Sequence, residues 1–140
     1  MRLYISGPMS GLVDNNRPAF QAATRRLRKA GHTVLDPTEL DLDSVEEAAT
    51  QDSALLWRLF LCRDVAVLLS SAIDAIVLLE GWRVSKGSRL EMLAGMCAGL
   101  AMVEEVNGQL FPLIVRELSV EDLTQRGLDK WNKHVEARRV

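Results

Sequence analysis

Arg2-Leu3-Tyr4-Ile5-Ser6, then Gly7-Pro8-Met9-Ser10-Gly11, a helical stretch, and His32-Thr33-Val34-Leu35-Asp36 decide the fold between them. The first group reads as a short buried strand, and the second as the turn-rich loop that ends it. Asp14, Asn15 or Asn16 can cap the helix that follows, with Pro18 in its first turn. Phe20, Ala23, Leu27 and Ala30 recur at helical spacing, while Arg25, Arg26, Arg28 and Lys29 take the other faces. Gly31 is placed to stop the helix. Strand, helix and strand within about thirty residues predict a right-handed crossover and a parallel sheet.

Working outward, Ala75-Ile76-Val77-Leu78-Leu79 is a continuous apolar run, as a central parallel strand requires. A helix starting near Asp52 or Ser53 carries Leu55, Leu56, Trp57, Leu59, Phe60 and Cys62. It is apolar on more faces than one core contact needs, which predicts burial on a second side, such as a subunit interface. Another helix is expected over about residues 88–100 and a strand at 101–103. A further strand at 110–115 can pair with it through Asn107-Gly108. Residues 38–50 read as an acidic loop, 119–127 as a short helix, and 128–140 as a polar tail. The expected fold is α/β: a small open three-layer sandwich with a mostly parallel, Rossmann/flavodoxin-like sheet, as one domain over residues 1–140.

Composition narrows the function classes. At 140 residues, 48% hydrophobic and 26% charged, the chain can bury one substantial core. A net charge of -2 gives no electrostatic reason to expect nucleic-acid or membrane binding. The longest apolar run, residues 65–79, is interrupted by Ser70, Ser71 and Asp74, and the N-terminus lacks a signal-peptide pattern. Cys62 and Cys97 fall in apolar segments without CxxC spacing, so reduced core thiols and a cytoplasmic location are expected. There is no ligand cluster for a metal, and no cofactor is expected.

Ligands of parallel sheets bind beyond the carboxyl ends of the strands. Gly7 and Gly11 with Ser6 and Ser10 read either as a phosphate or sugar cradle or as a plain strand-to-helix turn. Glu91 reads either as a carboxylate nucleophile or as the capping-box partner of Ser88. Asp64, in an apolar stretch, needs a partner such as Arg63 or Arg58, or else serves catalysis. Tyr4 either orients a carboxylate or is core.

Tyr4-Ile5-Ser6-Gly7-Pro8-Met9-Ser10-Gly11, the segment from Asp64 through Asp74 to Glu80-Gly81-Trp82, and Ser85-Lys86-Gly87-Ser88-x-x-Glu91 together resemble the nucleoside 2-deoxyribosyltransferase-like superfamily, in its DUF4406 branch. The resemblance implies that Glu91 attacks the anomeric carbon of an N-glycoside, that Asp64 protonates or holds the leaving base, and that Tyr4 aims the nucleophile. It implies a substrate site drawn from Ser6, Gly7, Met9, Ser10, Gly11, Arg17, Trp82, Ser85, Gly87 and Ser88, with Trp82 stacking on a base or packing on a neighbouring subunit. Ser85 stands where the deoxyribosyltransferases carry an aspartate, as in members that hydrolyse nucleoside 5′-monophosphates. The expected activity is therefore N-glycosidic hydrolysis of such a nucleotide. Nucleoside 2-deoxyribosyl transfer and a non-catalytic nucleotide-binding module are the alternatives. A homodimer or higher homo-oligomer is implied.

Overall fold

The computed structural model describes residues 1–40, 53–70, 72–106 and 108–113. β1 (Arg2–Ser6) leads into α1 (Arg17–Lys29) and β2 (Thr33–Leu35), and α2 (Ser53–Ser70) leads into β3 (Ala75–Leu78). α3 (Lys86–Cys97), β4 (Ala101–Val106) and β5 (Gln109–Pro112) complete the described elements. The sheet order is β2-β1-β3-β4-β5. The first four strands are parallel, and β5 is antiparallel to β4, as the turn at Gly108 foresees. The chain leaves β1 to one side for β2 and to the other for β3, so the switch point lies between β1 and β3.

Alternation along β1 divides the core. Leu3 and Ile5 pack with Phe20, Ala23 and Leu27 of α1, together with Val34, Ala75 and Val77. Tyr4 turns to the other face and joins Leu68, Ile76, Leu78, Trp82, Met92 and Met102. One helix on one face and two on the other give the three-layer α/β fold that the sequence predicts. Both α1 and α3 end in the same device. His32 N–H donates to the Leu27 carbonyl past Gly31, and Leu100 N–H to the Gly95 carbonyl past Gly99, with each glycine at positive φ.

Two expectations change. Cys62 and Cys97 are exposed, because both lie on helix faces turned away from the sheet. α3 begins at Lys86 instead of 88, with Ser85 as its N-cap. The turn residue Asn107, the expected strand beyond 113, the helix at 119–127 and most of the acidic loop lie outside the described residues. Among the described residues, no helix is long and apolar enough to cross a membrane.

Candidate functional site

The site begins with the two hydroxyls of β1 that share a face. Tyr4 and Ser6 are two residues apart, so both side chains leave the sheet toward α3. Tyr4 Oη donates to Glu91 Oε1 at 3.0 Å, and Ser6 Oγ donates to Oε2 at 2.5 Å. Glu91 is 7% exposed and lies on the sheet-facing side of α3. Gly95, one turn further along the same face, is buried against the sheet. A Cβ there would stand 2.3 Å from Ile76 Cδ1. The side-chain ends of Ile76 and Met102 fill the space that a side chain at Gly95 would take.

This geometry removes the capping reading of Glu91. It is no capping residue: Ser85 Oγ takes the Ser88 N–H, and the Glu91 carboxylate faces the strand. Burial pushes its pKa up to about 7. The charge of Asp64 adds to the rise, while the Ser6 and Tyr4 hydrogen bonds and the Arg63 guanidinium oppose it. Tyr4 is driven above its ordinary value by burial first and by the charge of Glu91 next, so it remains a neutral donor.

Asp64 comes from α2 and is buried. Arg63 grips its Oδ1 through Nε at 2.8 Å and Nη2 at 2.6 Å. Desolvation raises the Asp64 pKa, and the Arg63 bond and charge pull it down. Arg63 also stacks over Phe60, and its Nη1 is buried without a partner. The sequence names Arg63 only as a partner for Asp64. Its influence on Glu91 and Tyr4 comes from the fold.

The loops at the carboxyl ends of β1 and β3 close on each other. Gly81, at φ 82°, would place a Cβ 3.2 Å from Pro8 Cγ, and a Cβ on Gly7 would meet Leu79 at 3.0 Å. Close packing therefore explains Gly7 without a ligand. Gly11 is in open space at φ 81°. Asp14, Asn15 and Asn16 all have positive φ, and Asn16 Nδ2 donates to the Pro8 carbonyl at 2.9 Å, so Asn16 ties the loop instead of capping α1. Met9 packs partly against the core, while Ser10 and Arg17 are exposed.

Several expected ligand residues are committed elsewhere. Trp82 is 3% exposed, belongs to the core of its own chain, and donates Nε1–H to Glu104 at 3.0 Å with Arg83 stacked on its ring. Neither base stacking nor a contact with another subunit fits that burial. Ser88 is buried and donates to Ser85 Oγ at 3.1 Å. Ser6 is spent on Glu91. Ser85 and Gly87 remain partly accessible at the N-terminus of α3, a favourable place for an anion. Gly95 carries one signal readable in the sequence: a glycine inside a helical pattern.

Among the described residues no group of acidic, histidine and cysteine side chains is arranged to hold a metal ion. Residues 1–104 match the model of a family described as Domain of unknown function (DUF4406). No curated protein and no solved structure matches.

Proposed function

The chain belongs to the DUF4406 family, whose description assigns no activity, and from the site together with the resemblance of its motifs to the nucleoside 2-deoxyribosyltransferase-like superfamily we propose that it hydrolyses the N-glycosidic bond of a nucleoside or deoxynucleoside 5′-monophosphate. The observation that carries this reading is the Glu91 carboxylate, held at both oxygens by Tyr4 and Ser6 beside the switch point. A carboxylate fixed in this way, with a second acid in range, suits attack on a carbon that develops oxocarbenium character. One Glu91 oxygen bonds to the anomeric carbon, and the electron pair of the C–N bond passes to the base. Water then gives its hydroxyl to the sugar and its proton to the base, and Glu91 is restored. Asp64 holds the departing base. Burial raises its pKa against the pull of Arg63, so the base meets a carboxyl poised between hydrogen-bond acceptor and proton donor.

The N-terminus of α3 supports a phosphate as the sugar's 5′ group. Ser85 and the first-turn amides of a twelve-residue helix meet the carboxyl edge of the sheet there. The exposed Arg17 supplies positive charge from the start of α1, and Ser10, Gly11 and Met9 line the loop between. A serine at 85 places no negative charge beside the phosphate. This favours hydrolysis of nucleotides over exchange of bases between nucleosides. The reading includes self-association through α2, where Leu55 and Leu69 are 42% and 53% exposed.

The test is chromatographic detection of free base from ribo- and deoxyribonucleoside 5′-monophosphates and the matching nucleosides. Wild type is expected to release base from the monophosphates, and Glu91→Gln to release none. Ser85→Asp keeps a good cap and adds a charge, so it should impair monophosphates and spare nucleosides. Unchanged turnover by Glu91→Gln removes Glu91 from the mechanism. Nucleotide-induced stabilisation without base release identifies a binding module instead.

A further inference from the structure

Ser6 was expected among the residues that touch the sugar, but it is 1% exposed and its hydroxyl ends on Glu91. A carboxylate held at one oxygen still turns about its terminal torsion, which has only broad minima. A second donor at the other oxygen fixes the plane. Here both donors stand on the same strand, two residues apart, at 3.0 Å and 2.5 Å from separate oxygens of Glu91. Alternation along β1 sets their spacing, and pairing on both sides, with β2 and β3, keeps that strand in register.

We infer that Ser6 is a positioning residue equal in rank to Tyr4: its hydroxyl completes a two-point hold that fixes the plane of the Glu91 carboxylate and favours its ionised form. This inference rests on the nucleotide-hydrolysing reading only for its consequence in turnover; the hold itself is independent of it. The charged and titratable groups facing Glu91 are Tyr4 on β1 and Asp64 and Arg63 on α2. Asp64 opposes ionisation, and Arg63 favours it but is already engaged by Asp64. Ser6 and Tyr4 are thus the donors in direct contact with Glu91. Removing either one leaves the buried charge half solvated, which favours the protonated form.

The hold is tested by carboxyl-carbon NMR of protein labelled at glutamate Cδ, with the Glu91 signal assigned through Glu91→Gln. Ser6→Ala is expected to move the Glu91 titration upward by about one pH unit, the size of one charge-assisted hydrogen bond. Ser6→Cys, a weaker donor of similar size, should fall between. Steady-state base release gives the second readout. In Ser6→Ala the rise of kcat with pH should shift upward by the same interval, with KM for the monophosphate unchanged and most of kcat regained at high pH. A mere packing defect would lower kcat equally at every pH and leave the Glu91 titration in place, and that result overturns the inference. So does a raised KM with unchanged kcat, which would return Ser6 to the sugar. If wild type releases no base while the Ser6→Ala titration moves, the two-point hold stands and the hydrolytic reading falls.

Discussion

Glu91 is a residue whose ionisation works against its own fold. An ordinary glutamate in the unfolded chain titrates near 4.5, whereas burial lifts this one to about 7. Between those values the folded state binds more protons than the unfolded state, so stability falls as pH rises through that window. Below about 4.5 the penalty is absent, and above about 7 it is complete. Glu91→Gln removes the charge and keeps the shape. Its stability relative to wild type is expected to be near parity at pH 4 and to exceed it by about 3 kcal/mol at pH 8, from the size of the shift. Denaturant melts at the two pH values check this, and an advantage that does not grow with pH contradicts it. A site residue that destabilises its protein is what function exacts when a charge must stay dry. Asp36 has a structural part. It is also buried, but it takes Thr38 N–H at 2.8 Å and the hydroxyls of Thr38 and Thr24 at 2.7 Å each, and so ties β2 to α1.

At the scale of elements, α3 sets the site's dimensions. Its Gly95 lies against the side-chain ends of Ile76 and Met102, so a larger residue must push those ends aside or lift the helix from β3. Glycine costs a helix interior about 1 kcal/mol relative to alanine, yet the 2.3 Å clash outweighs that gain. Gly95→Val is expected to lower stability by about 1–3 kcal/mol. It should also lengthen the Glu91 bonds to Tyr4 and Ser6 and cut base release more than the stability loss explains. Thermal melts and kcat on the same variant check this. Of this element, the sequence made Glu91 and the apolar positions visible, since type and spacing speak for them. It hid the cap, because Ser85 and Ser88 both satisfy the pattern and only the backbone chooses between them. Trp82 misled for a similar reason: an aromatic after a glycine turn looks available, and only Glu104 on β4 shows where its N–H goes.

For the molecule as a whole, the order of the sheet matters most. β1 and β3 are central and buried, while β5 is an exposed edge strand. Amide exchange is expected to proceed in β1 and β3 only through global unfolding, and in β5 through local opening. Hydrogen-exchange mass spectrometry checks that ranking. The site therefore stands on the most protected strands, and only its ligand loops are free to adjust. This arrangement was legible early: strand–helix–strand foretold the parallel sheet, and the apolar run at 75–79 foretold its centre. The switch point was not, because nothing in the local pattern says on which side of β1 a later strand will lie.

The alternation along β1 has a consequence for how this protein can fail. Tyr4 and Ser6 face Glu91, while Leu3 and Ile5 face α1. A slip of one residue would exchange both pairs together, putting two alkyl groups against the carboxylate and two hydroxyls into the aliphatic layer. Such a molecule would have no partial competence, and a preparation containing it would show fewer working copies, each with undiminished speed.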